Sequence, residues 1–185
     1  MAGFGRLASR AYALFTRNPS TARAVVELCG LQAHDHVLEV GCGAGGGVDL
    51  AAQQIGADQI AAVDPSPTFV TMVRDRVPGA DIRVSGAEDL PFDDGSFTVI
   101  YSIASMHHWD DRSQGLATIA AKLAPGGRLL IAERALTSPG HGITPDQTQA
   151  VVAELQRLGL TEVHANEHPA GRRRMTVITA TQAIA

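Results

Sequence analysis

The chain has 185 residues, 45% of them hydrophobic, and a formal net charge of −4. That length and apolar content suffice for one domain with a full core and exclude a disordered chain. The charge gives no general pull toward nucleic acid or anionic lipid, and no apolar run nears the ~20 residues that span a bilayer, so neither partner is expected. Cys29 and Cys42 are the only cysteines. Without a CxxC pair they fit a reducing compartment rather than a structural zinc site. No apolar segment with a cleavage site opens the chain, so no signal peptide is expected and the expected location is cytoplasmic.

Met1 to Thr16 interleaves Arg6 and Arg10 with Phe4, Leu7, Tyr12, Leu14 and Phe15. This reads as a basic amphipathic helix, packed on the domain edge or lying over a ligand. Asn18-Pro19-Ser20 breaks the chain and opens a second helix, with Ser20 as cap and Val25, Val26 and Leu28 as its buried side. Residues 1–30 are read as N-terminal helices of the same domain that residues 31–185 form.

Val37 to Val40 is a short apolar run suited to a buried strand. Five glycines follow in the seven positions Gly41 to Gly47, then a helix-length stretch to Ile55. The pattern Gly41-x-Gly43-x-x-Gly46 fits a dinucleotide fingerprint. Such a turn lets a ligand approach bare backbone, with the unpaired N–H groups of the first helical turn facing it.

Gln59 to Val63 is a second strand, ending at Asp64, and Ser66-Pro67 starts a helix. Asp81 to Ser85, Phe97 to Ser102 and Arg128 to Ala132 read as three more strands, with a helix from about Ser113 to Leu123 and a turn at Pro125-Gly126-Gly127. Thr144-Pro145-Asp146-Gln147 opens a last helix with a capping box. Thr161 to Glu167 and Met175 to Ala180 then form two strands whose short connection forces an antiparallel pair. The alternation predicts a doubly wound α/β sheet, with ligands at the carboxyl ends of its strands.

Those ends carry the candidate chemistry. Asp64 lies 23 residues beyond Gly41, where an acid accepts the ribose hydroxyls of an adenosine. Gly86-Ala87-Glu88-Asp89-Leu90-Pro91-Phe92 is either a plain turn or a loop facing the adenine end. After the fourth strand, Met106-His107-His108 precedes the chain's one tryptophan, Trp109. Two adjacent histidines rarely share one zinc, and no third and fourth ligands stand at a recognisable spacing, so no metal is expected. Either histidine can serve as a general base or as loop packing.

VLEVGCGAGGG, AAVDPS, GAEDLPFDDGSFTVIYSIASMHHWDD and LAPGGRLLIAE occur in that order. Together they resemble the successive motifs of class I S-adenosylmethionine-dependent methyltransferases, in particular the small type similar to ubiquinone/menaquinone-biosynthesis methyltransferases. The resemblance runs from about Leu31 to Glu133. It implies a mostly parallel seven-stranded Rossmann-like sheet with one antiparallel C-terminal strand, and S-adenosylmethionine as cofactor. It places Glu39, Gly41, Cys42 and Gly43 around the methionine and ribose, Asp64 and Pro65 at the ribose, Ala87 and Glu88 at the adenine, and Ser102 and Ile103 beside the sulfonium. Two positions depart from the pattern: Gly86 and Thr98 stand where relatives often carry Asp.

The implied activity is methyl transfer to a small-molecule acceptor, at oxygen or carbon rather than nitrogen. His107, His108 and Glu133 are the ionisable candidates for preparing the acceptor. Few added segments shape an acceptor site beyond the N-terminal helices and the loop Ala135 to Ile143, so the pocket is open or completed by a second subunit. The basic run Arg172-Arg173-Arg174 reads as a solvated hairpin tip. An NAD-dependent oxidoreductase remains the alternative from the glycine pattern alone, although no Tyr-x-x-x-Lys pair exists. A protein that binds the cofactor without catalysis is the other.

Overall fold

Strands whose side chains must be buried on both faces carry near-continuous apolar runs, and four such runs form the centre of the sheet. In the computed structural model, which describes residues 19–171 and 173–184, these are β1 (Val37–Val40), β2 (Ile60–Asp64), β4 (Phe97–Ile103) and β5 (Leu123–Arg134). The short β3 (Asp81–Val84) edges one side, and β6 (Thr161–Ala170) with β7 (Arg173–Thr181) completes the other. The seven strands lie in the order β3-β2-β1-β4-β5-β7-β6. All neighbouring pairs are parallel up to β5, while β7 runs antiparallel to both β5 and β6. The mostly parallel sheet with a reversed C-terminal strand is the one the resemblance implies. The expected basic helix over Met1 to Thr16 lies outside the described residues, as does Arg172.

Strand alternation splits the core into two layers. On one face Leu38, Val40, Val63, Ile100, Leu129, Ile131 and Ile178 pack with Leu116 and Ile119 of α4 (Arg112–Lys122) and Val151 and Leu155 of α5 (Pro145–Arg157). On the other, Val37, Ile60, Ala62, Val99, Tyr101 and Val177 meet three helices. These are α1 (Pro19–Cys29), α2 (Gly46–Ile55) and α3 (Pro67–Arg76). Helices on both faces cover the parallel strands, as right-handed crossovers require.

The helix starts follow their side chains. Ser66 caps α3 by accepting from Phe69 N–H, with Pro67 at the first turn. Asp111 caps α4 through Gln114 N–H. Thr144 and Gln147 complete the reciprocal capping box of α5. α1 instead begins at Pro19, so Ser20 sits inside its first turn, and Leu28 is 44% exposed while Val25 and Val26 are buried. The Pro125-Gly126-Gly127 segment does not precede β5 but bulges within it. The β4 register moves from Phe97↔Leu123 to Val99↔Arg128, leaving extra residues on the β5 side.

Thr98 has a structural partner set. Its hydroxyl donates to Asp35 at 2.7 Å and accepts His36 N–H at 3.0 Å. Asp35 also takes Arg128 at 2.7 Å and Gln32 N–H at 2.8 Å. This network ties β4 and β5 together at their amino ends, away from the expected ligand side.

The chain runs outward through β1, β2 and β3, then returns to place β4 on the other side of β1. The reversal opens a crevice at the carboxyl ends of β1 and β4, where open α/β sheets bind ligands.

Candidate active site

The glycine turn after β1 is anchored from below. Gly41 N–H and Cys42 N–H both donate to Val63 O at 2.9 Å. Gly43 N–H donates to Asp64 at 2.8 Å, and Ser66 N–H reaches the other carboxylate oxygen at 2.9 Å. Gly41 adopts φ +77°, and a Cβ there would overlap the Ser105 hydroxyl. Only glycine lets the turn and the loop after β4 interlock this closely.

Glu39 is spent inside this assembly. It is 2% exposed, and its carboxyl accepts the Tyr101 hydroxyl at 3.1 Å and the Val48 N–H. A Cβ on Gly47 would lie 2.6 Å from a Glu39 oxygen, so the first turn of α2 presses directly on the acid. Burial pushes the Glu39 acid up to about 8, against the pull of its two donors. At neutral pH it is chiefly the uncharged acid. The first N–H groups of α2 are therefore not all left for a ligand, because Val48 N–H is turned inward to a buried side chain.

Asp64 is 7% exposed, and burial raises its acid above the ordinary range although two backbone N–H groups oppose the shift. An ionised carboxylate offers about four acceptor sites. One backbone N–H on each oxygen leaves one site apiece, a match for two vicinal hydroxyls. Nothing lies within 4 Å of a Cβ added to Gly43, so bare backbone borders open space beside this acid. Pro65 is exposed next to it, and Cys42 is buried with its thiol raised well above its usual value by burial.

Glu88 folds back toward the glycine at position 86. One Glu88 oxygen accepts Asp111 N–H at 3.1 Å, and the other lies 2.7 Å from where a Gly86 Cβ would stand. The carboxylate thus reaches the space a residue-86 side chain would start from. Ala87 is buried, and a Cβ on Gly115 would press against both it and the Trp109 ring. Leu90 is in the core, and Phe92 packs edge-on against Phe97 at 5.0 Å beneath Arg83.

The end of β4 brings the remaining candidates together. Ser102 is fully buried, and its hydroxyl is the one buried side-chain polar atom without a hydrogen-bond partner among the described residues. Ile103 is half-buried beside it. Ala104 turns the chain with φ +50°, and Ser105 accepts Trp109 Nε1 at 3.3 Å. In the turn that follows, His107 Nδ1 lies 2.7 Å from Glu133 Oε2, and the other Glu133 oxygen takes His107 N–H at 3.4 Å. Glu133, at the end of β5, is 1% exposed. With Glu133 as acceptor, a proton is assigned to His107 Nδ1, and in that neutral tautomer the lone pair lies on Nε2. The His108 ring lies against that of His107, with centroids 4.0 Å apart and the planes tilted by 44°. Burial lowers the His108 pKa, with the neighbouring His107 and His141 adding to the shift.

Ser105 lies against the glycine turn, and His141 comes from the loop Ala135 to Ile143 that the sequence offers for the acceptor, although neither residue is given a role by the sequence alone. Ser105 seals the glycine turn by shape. The loop joins β5 to α5, and the His141 ring lies 5.6 Å from both His107 and His108. Spacing showed no third imidazole because the chain returns to the pair only after a whole strand. A separate concavity lined by Leu28, Cys29, Arg128, Glu162, His164 and Thr181 opens at the amino ends of the parallel strands and shares none of these groups.

A sheet of this order, with a glycine turn feeding a helix and an acid closing β2, is the architecture that the resemblance to class I S-adenosylmethionine-dependent methyltransferases implies, and the free acceptor sites of Asp64 beside the bare Gly43 backbone fit that cofactor's ribose. Comparison with known proteins agrees. Residues 38–131 match the family described as methyltransferase domain. The chain is 36% identical over 142 residues to methyltransferase GfsG of Streptomyces halstedii, covering 72% of this chain and 49% of that protein. It is 31% identical over 131 residues to a probable phthiotriol/phenolphthiotriol dimycocerosates methyltransferase of Mycobacterium ulcerans, covering 70% of this chain and 50% of that protein. A SAM dependent methyltransferase from Aquifex aeolicus shares the fold, with a TM-score of 0.77 at 17% identity over 97% of this chain and 100% of that one. The chain belongs to the methyltransferase-domain family, whose cofactor is S-adenosylmethionine. It spans about half the length of the curated relatives it matches. The narrower likeness to quinone-biosynthesis methyltransferases gains no support from these relatives. Among the described residues no helix is long and apolar enough to cross a membrane.

Proposed function

We propose that this protein transfers a methyl group from S-adenosylmethionine to a hydroxyl oxygen of a small molecule, with His107 as the general base and Glu133 as its orienting partner. The observation that carries the reading is the 2.7 Å His107–Glu133 contact at the carboxyl ends of β4 and β5. Bound cofactor supplies an electrophilic methyl on a positively charged sulfur. Asp64 would hold the ribose hydroxyls, Ala87 and Glu88 the adenine, and Ser102 with Ile103 the sulfur end. Glu39 acts through the turn it props rather than by its charge.

An alcohol needs its proton removed as the new C–O bond forms, and His107 Nε2 is the free lone pair for it. Glu133 keeps the proton on Nδ1, aims the ring and stabilises the imidazolium that results. A positioned base of this kind contributes roughly 10²- to 10⁴-fold, and alignment of donor and acceptor supplies much of the rest. The names of the relatives, which include a phthiotriol methyltransferase, support a hydroxylated acceptor. Two buried free cysteines support a cytoplasmic setting.

The test is methyl transfer from labelled S-adenosylmethionine to a panel of hydroxylated lipids and polyketides. His107→Asn and Glu133→Gln are each expected to cut turnover about 10²- to 10⁴-fold while S-adenosylhomocysteine affinity holds. Full activity in His107→Asn on an accepted alcohol would refute the base.

A further inference from the structure

We infer that His107, His108 and His141 form a binding site for a borderline divalent cation of the zinc class. One ring nitrogen from each lies within 4.8 Å of the other two. Tetrahedral zinc with Zn–N bonds of about 2.0–2.1 Å needs nitrogens about 3.3 Å apart. His108 and His141 are exposed, so side-chain rotation alone can close the remaining gap. His107 is the fixed member.

The surroundings are those of a built site. Glu133 holds His107 Nδ1 at 2.7 Å from a position 1% exposed to solvent. A metal-binding histidine commonly gives its second ring nitrogen to a buried carboxylate, which sets the tautomer and aims the free nitrogen at the metal. The third ligand is held by backbone rather than left on a loose loop. Leu136 N–H donates to Ile143 O and Ile143 N–H to Arg134 O, both at 2.9 Å, which pins the two ends of the segment carrying His141. Gly142 N–H then donates to Gly140 O at 3.0 Å, a tight turn centred on His141. A Cβ on Gly142 would overlap the Arg134 carbonyl, so the glycine lets this turn sit directly against the end of β5, beside Glu133.

Three neutral imidazoles and no thiolate select zinc, cobalt or nickel over magnesium and calcium, which take oxygen ligands. Three protein ligands leave a fourth position for water or an acceptor oxygen. The cation would use the Nε2 lone pair of His107. Metal occupancy and proton acceptance by His107 therefore exclude one another, and the bound cation inhibits. This inhibitory consequence rests on the base proposed above; the binding does not.

The experiment titrates cobalt(II) into the chelator-treated full chain, read by visible absorption, with zinc followed by calorimetry. One cation per chain and the intense bands of tetrahedral cobalt are expected. His141→Ala and His108→Ala should each weaken binding at least tenfold, and Glu133→Gln about 10- to 100-fold. S-adenosylhomocysteine affinity of His141→Ala should match the wild type, which certifies its fold. Absence of cobalt bands in the wild type, or unchanged binding in His141→Ala, would overturn the site. Metal binding that survives while His107→Asn keeps full methyl transfer would leave the site standing and remove only its inhibitory role.

Discussion

Replacing Glu39 by Gln should flatten the pH dependence of stability. The folded acid titrates at about 8 because burial disfavours its charge, whereas in the unfolded chain it returns to about 4.3. Between those values the folded state binds a proton that the unfolded state has lost. Stability from this group is therefore complete below the unfolded value and falls as pH rises through the folded one. The slope reaches about 1.4 kcal/mol per pH unit, on the order of 3–4 kcal/mol between pH 5 and 8. Gln keeps the shape: its oxygen accepts Val48 N–H and its amide donates to the Tyr101 oxygen. The Tyr101 proton then loses its acceptor, a cost of about 1 kcal/mol that does not vary with pH. Glu39→Gln should match the wild type to within about 1 kcal/mol at pH 5 and be more stable by about 3–4 kcal/mol at pH 8. Urea unfolding followed by the fluorescence of Trp109 at intervals across this range reads the difference. Parallel profiles for the two proteins would refute the argument that Glu39 is carried largely as a neutral acid.

Other substitutions probe the same architecture from different sides. Gly41→Ala places a methyl in the Ser105 hydroxyl at φ +77°; a loss of about 1–3 kcal/mol in thermal or urea unfolding is expected, together with weaker S-adenosylhomocysteine binding. Asp64→Asn turns one acceptor into a donor facing Gly43 or Ser66 N–H. Calorimetry with S-adenosylhomocysteine should show affinity lower by about 10- to 100-fold, the worth of hydrogen bonds to a charged group, and unchanged affinity would remove Asp64 from the cofactor site.

Elements whose signal is local were legible in the sequence. The capping residues Ser66 and Thr144 start their helices where expected, and the short connection at Gly171 yields the antiparallel β6–β7 pair. The mostly parallel sheet with a reversed C-terminal strand followed from the resemblance that the ordered motifs carry, whereas the order of its strands did not. Side-chain roles that depend on partners distant in sequence were not legible. Glu39 reads as a ligand-facing acid at the end of a strand, yet Tyr101, 62 residues away, and the first turn of α2 enclose it. The loop reading of Pro125-Gly126-Gly127 failed because a bulge preserves pairing on both sides of it. His141 carries no periodicity or spacing to the His107–His108 pair; the closed segment between β5 and α5 alone brings it there.

The most direct test of the site is a crystal structure of the protein with S-adenosylhomocysteine. The ribose hydroxyls are expected on the Asp64 carboxylate, with the sulfur at the end of β4 and facing the His107 ring. Ribose bound away from Asp64, or a sulfur directed away from the His107–Glu133 pair, would contradict both the cofactor placement and the proposed base.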